Sequence, residues 1–400
     1  MLGILAVNIA GFAGPMDTTD GPALSLAGHA SFADEASFAA IFLLFEGKMR
    51  ALFSLLFGAS MLLLIERTEK RPRNSSLVGE KLQTRRLLWL AAFGYLHYIA
   101  LWWGDILFDY AVCGLLALTL RRLPVRALVG LGLAGFAAWH LAFALDSLST
   151  ILAEEHLRAR IASAAEHASV TQDLAAAQLR IAHDMAQSHL GFIAQARAKL
   201  ATAPDWPLVV TLYTIGETLP LMLLGMALHR TGFFAGRWPR RWLLALATGG
   251  LTLGLGWALA LLGWAWLRHF PPLTMPHILA SWAGGEHLAL ALAYAALLML
   301  AAPRLLESGI GARLAAAGRM AFSNYLLTSL MMGAIFQGWG LGLEGKVSRV
   351  AQLGLVALGW ALMLGWSKPW LARFQQGPLE WAWRSLSEWR VGGFRKSQKL

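Results

Sequence analysis

Apolar runs of about twenty residues, each ended by a short polar turn, set the pattern of this chain. They lie near 37–65, 87–103, 106–120, 127–145, 207–229, 242–266, 281–302, 320–338 and 350–367. Met1–Pro15 is apolar too but shorter, and it lacks the basic start and small-residue cleavage site of a signal peptide. It reads as the latter part of a first membrane helix whose start is missing from the sequence. Residues 146–205 break the rhythm: Ala-rich, with seven acids and five Lys or Arg, they place apolar positions between charged turns. That pattern predicts one or two amphipathic helices lying on the membrane or capping a bundle. The expected fold is all-α: a polytopic bundle of about ten spans, with parts at 1–145 and 206–400 and an extracytoplasmic helical insert at 146–205.

Composition fixes the class. Hydrophobic residues make up 57% of 400 positions and charged residues 14%, with a mean hydropathy of +0.53. Soluble domains carry about 25% charge, so the chain's partner is a lipid bilayer. The net charge of +11 comes from Lys and Arg in inter-segment loops, a positive-inside pattern rather than a nucleic-acid groove. The loop with Arg67, Lys70, Arg71, Arg73, Lys81, Arg85 and Arg86, the stretches 121–126, 230–241 and 304–319, and the tail from Lys368 to Lys399 all fall on one side under alternate counting. That side is expected to be cytoplasmic and to hold both termini, in a bacterial-type inner membrane. The single cysteine, Cys113, excludes an internal disulfide and a cysteine metal cluster. No Walker loop, Rossmann glycine pattern, zinc spacing or internal repeat is present, so no cofactor or metal is required.

Ionisable residues within apolar runs are the candidates for chemistry. His97 is expected near mid-bilayer, as a general base or as a histidine satisfied by a neighbouring helix. Asp105 follows Gly104 at a turn and either caps the next helix or orients His97; eight residues span ~12 Å of helix, so contact requires a bend at Gly104. Asp109, one turn on, shares a face with Asp105 and needs a partner, for which Lys48 or Arg50 are candidates. Glu46, Lys48 and Arg50 surround Gly47 within one and a half turns, as an interfacial helix start or as a site for an anionic group. Arg319 and Asn324 open a later segment, with Asn324 suited to interhelical hydrogen bonding.

Taken together, several motifs resemble the YeiB-like membrane protein family, whose C-terminal half is called domain of unknown function 418. They are Gly3-Ile4-Leu5-Ala6-Val7-Asn8; Phe45-Glu46-Gly47-Lys48-Met49-Arg50 with Phe53-Ser54 and Phe57-Gly58; His97; Gly104-Asp105-Ile106-Leu107; Gly318-Arg319 through Asn324-Tyr325; Trp366-Ser367; and Gly377-Pro378-Leu379-Glu380-Trp381. The family pattern begins with an Arg, an Asp and an Arg-Gly pair that precede the first residue here. That family is in turn similar to the transmembrane acyltransferase superfamily, which implies O- or N-acyl transfer from cytoplasmic acyl-CoA, as co-substrate, to an envelope or exported small molecule. The resemblance implies His97 as base, Asp105 or Asp109 tuning it, and Lys48, Arg50 or Arg319 holding the acyl donor. The alternative is a proton-coupled transporter or permease using the same charges. A cavity that joins Glu46–Arg50 to His97 and opens to the cytoplasm is the geometry expected of acyl transfer.

Overall fold

The computed structural model describes residues 1–24, 30–70 and 76–395. Arg71, Arg73 and the tail end at Lys399 lie outside the described residues. The described chain is all-helical, with one isolated bridge between Phe374 and Arg395. Six helical segments are long and apolar enough to cross a membrane. They are the pair α2 (Phe32–Leu44) and α3 (Lys48–Glu69), then α6 (Val125–Asp146), α10 (Trp206–Arg230), α11 (Arg240–Trp266), α13 (Gly284–Glu307) and α16 (Arg349–Arg373). The apolar helices α1 (Leu2–Ala13), α5 (Leu107–Thr119) and α15 (Ala321–Phe336) are shorter. α4 (Ser76–Ala100) packs beside α5. The chain is thus a multi-pass membrane protein, with six crossings supported by length and composition rather than the ten expected.

Two faces follow from the contacts. On one, Arg121 and Arg122 hold Glu80, Arg230 donates to the carbonyls of Arg121 and Leu123, and Arg86 lies over Trp383. This basic face holds two helices where loop and tail were expected: α14 (Gly309–Arg319) and α17 (Pro378–Glu388). The reason is local: Ser308 caps α14 by accepting from Gly311 N–H, and Pro378 sits in the first turn of α17, where a missing N–H costs nothing.

The opposite face carries the insert, which folds as three helices rather than one or two: α7 (Leu148–Arg158), α8 (Ala164–Ser188) and α9 (Phe192–Thr202). A capping box from Ser163 and Glu166 starts α8. The insert caps the bundle. Arg180 pairs with Asp17, Glu154 accepts from Thr274, Tyr98 donates to Ala203 O at 2.7 Å, and Gly338 donates to Ser188 O at 2.8 Å. Glu344 is buried beneath this cap, accepting from Gln337 Nε2 at 2.9 Å.

α3 and α10 press together through glycines. A Cβ on Gly58 would lie 2.1 Å from Met222 O, and one on Gly225 1.9 Å from Leu55 O. Backbones can approach this closely only where side chains are absent. The parts on either side of the insert therefore meet directly, α10 packing on α3, α5 and α6.

Two outcomes follow from this packing. Gly225→Ala should cost about 1–3 kcal/mol by overpacking and lower the melting temperature in detergent, whereas Gly130→Ala, with nothing within 4 Å of the new Cβ, should not. Burial pushes the Glu344 carboxyl up to about 7, and the Asp184 charge acts in the same direction. Between its ordinary value near 4.5 and 7 the folded protein then binds more protons than the unfolded chain, so stability should fall as pH rises through that window. Melting curves of Glu344→Gln from pH 4.5 to 7.5 should show a flatter dependence than wild type.

Candidate functional site

The longest apolar segment is broken. α2 stops at Leu44, and Gly47 takes a φ of +67° before α3 begins at Lys48. Such a backbone suits glycine, and the ring of His287 also fills the space a side chain would need, 2.1 Å from the position of a Cβ. Breaking a helix frees carbonyls that lipid cannot satisfy. Lys48 meets the need: its Nζ donates to Phe42 O at 2.6 Å and to Glu286 Oε1 at 2.7 Å, with neither side chain exposed. Glu286 reaches the break because α13 starts inside the bundle, after α12 (Met275–His277) and a π-helical turn at Ile278–Trp282.

Arg50, half a turn on, faces the other way and pairs with Glu217 of α10 at 2.7 Å. Lys48 and Arg50 therefore pair with glutamates and not with Asp109, for which they are candidate partners. Asp109 instead accepts from the hydroxyls of Thr214 and Thr218 at 3.0 Å and from the Cys113 thiol at 3.3 Å. Cys113 thus has a polar partner besides its packing role.

The chain does bend where contact between His97 and Asp105 required it. α4 ends at Ala100 and α5 starts at Leu107, so Asp105 folds back. One carboxylate oxygen lies 2.8 Å from His97 Nδ1, and the other accepts from Phe108 N–H at 2.9 Å. Capping and orienting are both performed by the same side chain. A carboxylate can only accept, so it selects the tautomer with hydrogen on Nδ1 and leaves Nε2 as the basic nitrogen. That nitrogen is buried without a hydrogen-bond partner among the described residues, and the His97 and Tyr325 ring centroids lie 5.0 Å apart.

A cavity of about 770 Å³ joins several of these groups. Glu46, Arg50, Asp105, Asp109 and Glu217 line it, and Asp20 and Arg349 stand nearer the insert. Burial pushes Asp20 up to about 7. The walls are aromatic, with Trp102, Trp103, Trp139, Trp206, Phe143 and Tyr213. Its position follows from helix length: α5, with 13 residues, covers about 20 Å against the ~30 Å of a hydrocarbon core. The Gly104–Asp105 turn is thereby sunk below the insert face, leaving a hollow between turn and cap. A second hollow of about 580 Å³, lined by Asp17, His183, Asp184 and Lys199, lies under the insert. Met16, Trp102, Trp103 and Trp206 line both hollows. Toward the basic face the floor is closed: Tyr110 OH meets Ser54 Oγ at 2.7 Å, above the tight α3–α10 contact. His97 does not line the cavity, nor do Lys48, Arg319 or Asn324.

Residues 228–390 match the family model described as "Protein of unknown function (DUF418)". The whole chain is similar to the uncharacterized protein YeiB of Escherichia coli (strain K12), 29% identical over 97% of this chain and 93% of that one. It is likewise similar to the uncharacterized protein YxaH of Bacillus subtilis (strain 168), 28% identical over 97% of this chain and 91% of the relative. The chain is thus similar along nearly its whole length to YeiB-like proteins, and its C-terminal part matches DUF418. No solved structure matches it.

Three motifs carrying the resemblance to the YeiB-like family meet in one clamp at the basic face. The Glu380 carboxylate accepts from the N–H groups of Phe322 and Ser323 in the first turn of α15 and from Ser323 Oγ. Asn324, fully buried, donates to Ala317 O and Ser367 Oγ and accepts from Trp366 Nε1 at 2.8 Å. Arg319 is exposed and donates to Gln375 O. Arg319 and Asn324 are therefore apart from the cavity. Glu217 and Glu286 are polar interruptions of their apolar runs, and that charge is the only signal sequence offers for them. Their pairing across 167 and 238 positions was not visible in sequence.

The buried ion pair gives a direct expectation. Lys48→Met should destabilise by roughly 3–5 kcal/mol, because Glu286 is left buried without its partner. Glu286→Met should do the same to Lys48. The double variant should lose less than the two single losses added together, which a double-mutant cycle of detergent unfolding measures.

Proposed function

We propose that this protein is a permease: it binds a small molecule in the cavity and moves it across the membrane. The observation carrying this reading is the cavity itself, walled by the broken α2–α3 segment and closed toward the basic face at the Ser54–Tyr110 contact. Discontinuous helices whose ends meet a polar cavity are a recurring way to build a transport site, since irregular backbone inside a membrane is tolerated where it lines a cavity. In this reading α1, α4, α5 and α15 complete ten crossings with the six long segments. The Lys- and Arg-rich face and both termini are cytoplasmic, and the insert is extracytoplasmic. The α3–α10 seam and the Ser54–Tyr110 contact form the inner gate.

A second reading is acyl transfer, favoured by the His97–Asp105 pair, in which a carboxylate orients an imidazole as a general base requires. Asp105 faces the cavity but the basic nitrogen of His97 does not. The cavity also lies on the insert side of its floor, away from the face expected to meet cytoplasmic acyl-CoA. Both points favour the permease.

Alternating access distinguishes the two without knowledge of the substrate. In a Cys113→Ser background, Val209→Cys in the cavity wall should react with a membrane-impermeant thiol reagent from the insert face. Ser54→Cys in the floor should react from the basic face in inverted vesicles when the gate opens. Protection of Ser54→Cys under all conditions sinks the permease. Transfer or hydrolysis of labelled acyl-CoA by purified protein, lost in His97→Ala, would establish the enzyme instead.

A further inference from the structure

The side chains lining the cavity are unbalanced in charge. Five carboxylates (Asp20, Glu46, Asp105, Asp109 and Glu217) face it, against two cations, Arg50 and Arg349. Three of these acids have local explanations: Glu217 is matched by Arg50, Asp105 by His97, and Asp20 accepts from Thr19 Oγ near the insert. Glu46 and Asp109 remain. Neither lies within ion-pair distance of a cation among the described residues. Asp109 is held only by neutral hydroxyl and thiol donors, and Arg349 is engaged by the carbonyls of Thr18 and Gly21.

The cavity therefore presents two carboxyl groups without a paired cation, Glu46 and Asp109, at its floor. Lys48 and Arg50, the residues a bound anion would need, are neutralised by Glu286 and Glu217. The walls narrow the choice further. No group of three or more acids or histidines able to hold a metal ion occurs among the described residues, so the carboxylates do not converge on a point charge. Indole and phenol faces, which attract cations whose charge is spread over a large body, surround the space instead.

We infer that the cavity takes an organic cation, an ammonium or similar charge on an apolar or aromatic body, with Glu46 and Asp109 facing the charge and the tryptophans facing the body. This rests on the permease reading, whose substrate class it supplies.

Two probes of equal shape and opposite charge test it. Purified full-length protein in detergent is titrated with tetraphenylphosphonium and, separately, with tetraphenylborate, following the tryptophan fluorescence. Saturable binding of the phosphonium at least roughly tenfold tighter than the borate is expected, a difference of about 1.4 kcal/mol. Glu46→Gln and Asp109→Asn should each weaken the phosphonium by roughly fivefold while leaving the borate unchanged or tighter, which loss of fold would not do. Glu66→Gln, on the basic face and outside the cavity, should change neither. Equal affinities, or tighter borate, overturn the charge assignment. If neither ion saturates while Ser54→Cys still shows access from the basic face, the inference fails and the permease reading survives.

Discussion

Everything near the centre of this protein depends on one demand: a helix interrupted within a membrane must have its loose backbone groups satisfied by protein. The interruption at Glu46-Gly47 meets that demand in three ways at once. Gly47 supplies the positive φ, His287 seals the space beside it, and Lys48 reaches back to the carbonyl of Phe42. The lysine in turn needs a counter-charge, since a lone ammonium there would be too costly. Glu286 supplies it from α13, which ties the break to a helix 238 residues away. Lys48 is thus first a structural residue. The cost of breaking the helix is offset by a salt bridge whose own net contribution to stability is small, but which ties the start of α13 to the break.

Once Lys48 and Arg50 are committed to glutamates, the remaining charges define the cavity by subtraction. α10 contributes Glu217, Thr214 and Thr218 within one and a half turns, so a single helix face holds both Arg50 and Asp109. Shortness of α5 does the rest, because a helix too short to reach the insert face leaves a hollow above its first residue. α8 and α9 line the neighbouring hollow, which shares Trp102, Trp103 and Trp206 with this one.

Segment positions were legible in the sequence because lipid enforces length and hydropathy so strictly. The run expected at 207–229 appears as Trp206–Arg230, and that at 242–266 as Arg240–Trp266. Boundaries failed where amphipathic helices lie at an interface, as α14 and α17 do, since their charge resembles that of a loop. Within the site, His97, Asp105, Asp109, Glu46 and Arg50 stood out because ionisable groups are rare in apolar runs. The partners were not legible. Hydropathy says that Arg50 needs an anion, but Glu46, Asp109 and Glu217 all qualify until the helices are packed. Nor did anything in the local pattern mark Trp139 or Trp206 as cavity walls rather than belt residues.

The distribution of the family motifs bears on what the matched region means. Residues 228–390 contain Glu286 and the whole clamp of Asn324, Trp366, Ser367 and Glu380. The polar floor of the cavity, however, is Glu46, Arg50, Asp109 and Glu217, all before that region. The clamp orders α15, α16 and α17 against one another at the basic face, and Glu286 braces the helix break from outside the cavity. The C-terminal region therefore builds the frame, and the earlier part of the chain supplies most of the polar lining of the cavity. Relatives similar along 97% of this chain fit that division, because neither half encloses the cavity alone. The cavity is enclosed only by the whole bundle.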